Sequence, residues 1–207
     1  MNNNTNASVQ FFDEQFQRQV ASAEYTLNSF EAAALPYLRG DVLDYGCGLG
    51  NLAVEAARRG CSVTALDASH AAVAHIETVA RETHLPLTTV ETDLREHRID
   101  EDYDAIVCVG LLMFFDCPTA YRKLADLQAH VRPGGVAVVN VLTEKTNFMD
   151  MFSPEGHCLF KPSDLTQAFA GWEVLMNKTD TFPAPGNTQK AFATVIARKP
   201  WARSHDA

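Results

Sequence analysis

Val42-Leu43-Asp44-Tyr45 runs without a break into Gly46-Cys47-Gly48-Leu49-Gly50, and no other stretch constrains the chain as much. The short apolar run reads as a strand. Alanine-rich Asn51 to Arg59, after the glycines, reads as a helix, with Gly60 in the position of a left-handed C-cap. Glycines on alternate positions at such a junction let the backbone turn sharply and come close to a ligand. A tight turn with no ligand would use the same glycines, so their meaning depends on what surrounds them.

The same cycle recurs along the chain. Ser62 to Leu66 predicts a second strand ended by Asp67, and Ser69 can cap a helix reaching about Glu82. Leu85 to Val90 reads as a third strand, ending before Asp93. Asp104 to Val109 reads as a fourth, followed by a helix from Pro118 to His130. Pro133-Gly134-Gly135 then turns the chain into Val136 to Leu142, an apolar run suited to a strand buried on both faces. A short helix, Leu165 to Ala170, precedes two further strands, Trp172 to Lys178 and Lys190 to Ala197, joined by a loop holding Pro183, Pro185 and Gly186. That loop is too short for a crossover helix, so the last pair is an antiparallel hairpin at one edge. The expected fold class is α/β: a three-layer, Rossmann-like arrangement of a seven-stranded, mostly parallel sheet with an antiparallel C-terminal hairpin.

At 207 residues the chain fits one domain, taken as 9–200 between a disordered tail, 1–8, and a second tail, 201–207. Phe12, Phe16, Val20, Ala23 and Leu27 fall at helical spacing in the N-terminal segment 9–38, which Pro36 and Gly40 close. A net charge of −9 argues against nucleic acid as a partner, because binding its backbone takes a basic surface. No apolar run is long enough to span a membrane, and the Asn-rich start has no signal-peptide pattern, so the expected location is cytoplasmic, with no membrane partner. Cys47, Cys61, Cys108, Cys117 and Cys158 are scattered, odd in number and without a CxxC pair. They predict reduced thiols and no disulfide framework, zinc cage or other metal site.

Three acids stand near the carboxyl ends of adjacent strands: Asp44, Asp67 and Asp93. Asp67 lies 21 residues after Gly46, where a carboxylate can accept hydrogen bonds from both ribose hydroxyls of a nucleotide. The same residue could serve as a helix N-cap. A dinucleotide fingerprint would put its third glycine at position 51, where this chain has Asn51, so a nicotinamide cofactor is disfavoured.

The ordered set D-Y-G-C-G-L-G, A-L-D-A-S, E-T-D-L, Y-D-A-I-V and R-P-G-G, between about 40 and 142, resembles the successive motifs of class I S-adenosylmethionine-dependent methyltransferases. Leu112-Met113-Phe114-Phe115-Asp116, Gln128, Leu159 to Leu165, Gly171-Trp172-Glu173 and Phe192 to Lys199 extend the similarity to the tellurite-resistance (TehB-like) branch. The resemblance implies S-adenosyl-L-methionine as cofactor and methyl transfer to a small molecule, such as a thiol or a chalcogen oxyanion like tellurite. The alternative is a non-catalytic module that binds the cofactor or its demethylated product.

By that resemblance, Gly46, Cys47 and Gly48 contact the methionine part of the cofactor, and Asp44 orders the loop or meets the amino group through water. Asp67 holds the ribose and Ala68 lies against adenine. Asp93 and the Leu94 backbone N–H read the adenine edge, and Cys108 and Val109 flank the methionine chain. His157 is a weak catalytic or substrate-binding candidate, with a solvated loop histidine as the alternative, and Cys158 reads as a small packed hydrophobe. The N-terminal segment reads equally as an aromatic lid (Phe11, Phe12, Phe16, Tyr25) or as a plain amphipathic helix. The basic pairs of the tellurite-resistance family are missing: the final loop, Asp180 to Asn187, has no cation, and the N-terminal segment offers only Arg18. The chain is expected as a monomer or homodimer.

Overall fold

The computed structural model describes residues 7–22, 25–152 and 156–201. Ala23 of the expected apolar stripe, the start of the His157 loop, residues 1–6 and the tail after Trp201 lie outside them.

Seven strands form one sheet: β1 (Asp41–Tyr45), β2 (Ser62–Asp67), β3 (Leu87–Glu91), β4 (Tyr103–Val109), β5 (Val131–Leu142), β6 (Glu173–Ala184) and β7 (Thr188–Arg198). Their order is β3-β2-β1-β4-β5-β7-β6, with β1 to β5 parallel and β7 antiparallel to both β5 and β6. The chain winds outward from β1 to β3, then crosses to β4 on the other side of β1. That reversal opens a crevice at the carboxyl ends of β1 and β4, where sheets of this kind hold ligands.

Among the described residues six α-helices complete the layers: α1 (Ala7–Ser22), α2 (Ser29–Ala34), α3 (Asn51–Arg58), α4 (His70–Thr83), α5 (Cys117–Ala129) and α6 (Asp164–Ala168). One face of the sheet packs against Leu52, Ala53, Ala56 and Ala57 of α3 and Ile76 of α4. The other packs against Leu124 and Leu127 of α5 and Leu165, beside Phe169, in α6. Alternate residues of each central strand serve opposite faces, so Val107 joins the first core and Ile106 and Cys108 the second. This is the expected three-layer fold.

Several boundaries differ from the sequence reading, each for a local reason. The N-terminal segment is two helices, not one stripe. Asn28 starts α2 with a capping box in which its side chain accepts the Phe30 and Glu31 N–H groups, while Glu31 accepts the Asn28 N–H. Leu27 therefore leaves the Phe12–Phe16 face and packs with the core on the α3 side. Pro133-Gly134-Gly135 does not precede β5 but bulges within it, since Tyr103 pairs with Val131 and Ala105 with Val136. The C-terminal hairpin is longer than expected, paired out to Ala184 and Thr188 around a turn at Pro185–Asn187. Its outer part is polar because β6 is an edge strand with solvent on one side.

The expectation of five reduced thiols is wrong for two of them. Cys117, at the first turn of α5, is bonded to Cys158, with Cα atoms 4.7 Å apart. Cys158 is buried, as a packed residue should be, but its sulfur is paired. Spacing along the chain gave no hint, because the pair is 41 residues apart and is brought together only when Cys158 N–H donates to Met113 O beside α5. Cys47, Cys61 and Cys108 are free and buried.

Closing a loop of that size restricts the unfolded chain by about 4 kcal/mol. Reduction should therefore lower Tm by about 8–16 °C, at about 2–4 °C per kcal/mol for a chain of this length. Thermal unfolding with and without dithiothreitol tests this, and an unchanged Tm after confirmed reduction would contradict it.

Candidate active site at the carboxyl ends of the strands

A cavity of about 350 Å³ occupies the crevice between β1 and β4. The glycine loop forms its floor: the Gly46 and Cys47 N–H groups both donate to Leu66 O, at 2.8 and 3.0 Å, which pins the loop to β2. Gly50 has φ +70°, and a Cβ there would meet Ile76 Cδ1 at 2.7 Å, so only glycine lets α3 start this close to α4. A Cβ on Gly48 would come 3.2 Å from the Phe16 ring, filling space between loop and α1 that now belongs to the cavity wall.

Asp67 closes the end of β2. Its two oxygens accept the Gly48 N–H at 2.8 Å and the Ser69 N–H at 2.9 Å. The helix-cap role falls to Ser69, whose side chain accepts the Ala72 N–H of α4. Each carboxylate oxygen keeps a further lone pair for a ligand hydroxyl. Burial raises the pKa of Asp67, while the Ser69, Gly48 and Ala68 N–H groups oppose that rise. Asp67, Ala68 and Ser69 all line the cavity.

Asp93 and Leu94 line it as expected, beyond the end of β3. The Asp93 carboxylate is gripped by Arg95 Nε at 3.0 Å and Nη2 at 2.8 Å, a fork that lowers its pKa. Buried Tyr45 donates its hydroxyl to Leu94 O, tying this corner to β1. At the end of β4, Val109, Gly110 and Leu111 line the cavity. Cys108, expected beside Val109 as a cofactor contact, faces the opposite core, since neighbouring strand residues point to opposite faces. Burial pushes its thiol up, out of the range in which it would ionise.

The N-terminal segment supplies the roof, through Phe12, Phe16, Gln15 and Gln19 of α1, then Asn28 and Glu31. Phe12 meets Phe114 edge-on with centroids 4.9 Å apart. Sequence reasoning missed the latch that holds α1 in place: Asp13 Oδ1 accepts the Ser69 Oγ–H at 2.6 Å and the Ala71 N–H at 3.1 Å, at the start of α4. The hydrogen bond from Ser69 is the main cause of its lowered pKa. An acid on an exposed helix has many bland explanations, so nothing local marked it. Phe11 and Tyr25, the other aromatics of the expected lid, are exposed. His157 is also exposed and is not brought to the cavity; it stacks on Phe152 with centroids 4.6 Å apart. Among the described residues no group of three or more His, Cys, Asp or Glu could hold a metal ion.

Asp44 sits behind the wall and accepts no hydrogen bond from the described residues. Burial, then the Glu31 and Asp67 charges, push its pKa up to about 8. The folded carboxyl thus holds its proton more tightly than the unfolded one, and stability is lost as pH rises from about 4 through about 8. Asp44→Asn should relieve that loss. Its Tm should exceed that of the parent by roughly 4 °C or more at pH 9, with the gap narrowing toward pH 5. Thermal unfolding across that range reads it, and a gap that does not grow with pH would contradict the assignment.

Residues 42–135 match the model of the methyltransferase-domain family. The chain is 34% identical over 170 residues to Hemagglutinin 1 of Eikenella corrodens, covering 76% of this chain and 54% of that protein. It is 28% identical over 168 residues to the probable S-adenosyl-L-methionine-dependent methyltransferase TehB of Haemophilus influenzae, covering 76% and 57%. The crystal structure of TehB from the same organism superposes with a TM-score of 0.74 at 21% identity, over 87% of this chain and 65% of that one, which shows the shared fold. The chain spans about half the length of the curated relatives it matches. The glycine loop and Asp67 lie inside the span that matches the methyltransferase-domain family, and the strand order is that of the fold the chain shares with TehB.

Proposed function

We propose that the chain transfers a methyl group from S-adenosylmethionine to a small, uncharged, soft acceptor such as a thiol. The observation that carries the reading is Asp67, anchored through Gly48 and Ser69, at the edge of a cavity that also exposes Ala68, Asp93, Leu94 and Val109. In this reading Asp67 takes the ribose hydroxyls and Ala68 packs against the base. Asp93 and the Leu94 N–H read the base edge, and Gly46 to Gly48 leave room for the amino-acid part. The cofactor supplies an already activated sulfonium methyl, so the protein's task is alignment and exclusion of water. Phe12, Phe16, Phe114 and Phe115 provide an apolar wall for that purpose.

The acceptor class follows from charge. The acids lining the cavity are Glu31, Asp67 and Asp93, and the one cation among its described lining residues, Arg95, is engaged by Asp93. An oxyanion such as tellurite would meet a negative wall, whereas a neutral thiol meets aromatic rings, Leu111 and the Gln15 and Gln19 amides. No histidine, lysine or tyrosine lines the cavity among the described residues, so a thiol that enters neutral gives its proton to water as its sulfur takes the methyl and the sulfonium becomes a thioether.

An acceptor panel of aliphatic and aromatic thiols, selenite and tellurite, read by release of S-adenosylhomocysteine, tests this. Thiols should turn over at least about ten-fold faster than either oxyanion, with a rate that rises with pH toward the thiol's own pKa. Preference for tellurite would overturn the acceptor class. Cofactor binding with no turnover on any acceptor would support the binding-module reading instead.

A further inference from the structure

The two sulfurs of the Cys117–Cys158 bridge stand in different surroundings. Cys117, the first residue of α5, is exposed, while Cys158 is buried. A thiolate from solution therefore meets the bridge from the Cys117 side. Cys47, Cys61 and Cys108 are free but buried, which leaves Cys117 as the cysteine within reach.

Cys158 belongs to a segment that lies along the aromatic wall of the cavity. Its N–H donates to Met113 O at 3.0 Å, and Leu159 packs with Met113 and Phe114. Those two residues sit in a single 3₁₀ turn, Leu112–Phe114, and Phe114 and Phe115 line the cavity. His157 stacks on Phe152, whose ring lies 5.3 Å from that of Phe114. Beyond the segment, Phe160 donates its N–H to Leu142 O and accepts that of Glu144, so the chain there is fixed to the end of β5 independently of the bridge. Among the described residues, the bridge and the hydrogen bond to Met113 O are the only bonds that hold 156–159 in place.

We propose that Cys117–Cys158 is a thiol-exchange site, acted on by small thiols, that controls the aromatic wall of the cavity. A thiolate attacks Cys117 Sγ and forms a mixed disulfide there. The Cys117–Cys158 bond breaks, and its electron pair leaves on the Cys158 sulfur, which takes a proton. A second thiolate attacks the reagent's sulfur and expels Cys117 as a thiolate at the N-terminus of α5, where the helix dipole favours negative charge. In sum, two small thiols are oxidised to their disulfide and the bridge is reduced to two thiols. Residues 156–159 then keep one hydrogen bond and their apolar contacts, and Phe114 and Phe115 lose support from that side. A small disulfide reverses the steps. Nothing in this exchange depends on what the cavity holds.

The test takes the oxidised chain well below its Tm, gives it a short pulse of glutathione, quenches in acid and maps the adduct by mass spectrometry. The first adduct should sit on Cys117, in at least about ten-fold excess over Cys158, with Cys47, Cys61 and Cys108 unmodified. Chain reduced with dithiothreitol is then compared with oxidised chain by hydrogen exchange, at labelling times too brief for whole-chain unfolding to contribute. Exchange should rise about ten-fold or more at the amides of Phe114, Phe115 and Cys158, and stay within about two-fold over β1, β4 and β5. A first adduct on Cys158, or a bridge that reacts only once the chain unfolds, would overturn the exchange site. Unchanged exchange at Phe114 and Phe115 after confirmed reduction, or a rise spread over the whole sheet, would make the bridge a plain staple and overturn its control of the wall.

Discussion

The hydrogen bond from the Gly48 N–H to Asp67 is the contact on which the rest of the cavity depends. It joins the glycine loop after β1 to the end of β2, and the second Asp67 oxygen carries the link to Ser69 at the start of α4. Ser69 in turn donates to Asp13 of α1, so one short chain of polar contacts runs from the floor of the cavity to its roof. Charge-assisted bonds to a partly buried carboxylate are stronger than neutral ones, which suits a junction that must hold a loop still. Without it the loop would keep its bonds to Leu66 O but lose its fixed distance from α4 and α1.

The roof depends on parts of the chain remote from the glycine motif. The long hairpin brings Phe182 and Phe192 together, and both rings meet Phe30, so the C-terminal strands set the position of α2. The Cys117–Cys158 bridge holds the segment after Gly156 against α5, close to Met113, Phe114 and Phe115. Two of those three residues wall the cavity. The aromatic series Phe12, Phe114, Phe152 continues this support from α1 outward. A regular central sheet thus receives a site finished by segments with few motifs of their own.

That division explains what could be read from the residues. The central strands and their helices were legible because Val42 to Tyr45, Asp104 to Val109 and Val136 to Leu142 are apolar runs separated by glycine, proline and capping residues. Asp67 and Asp93 were legible because their place follows from strand ends. Asp13 and the Cys117–Cys158 pair were not, since each acquires meaning only from a partner far off in sequence. Asn28 and Glu31 did carry a local signal, the spacing of a capping box, that would have split the N-terminal segment correctly. Cys108 does not line the cavity, because strand alternation turns the side chains of neighbouring Cys108 and Val109 to opposite faces.

The central proposal is that the Asp67 junction builds a site for an adenosyl amino acid and not for a nicotinamide dinucleotide. Titration calorimetry of the parent chain and of Asp67→Ala, with S-adenosylhomocysteine and with NADH, tests it most directly. The account predicts that the parent binds S-adenosylhomocysteine and not NADH, and that Asp67→Ala weakens the binding by about ten-fold or more through lost hydrogen bonds to a charged group. Binding of NADH in preference, or affinity for S-adenosylhomocysteine indifferent to Asp67→Ala, would contradict it.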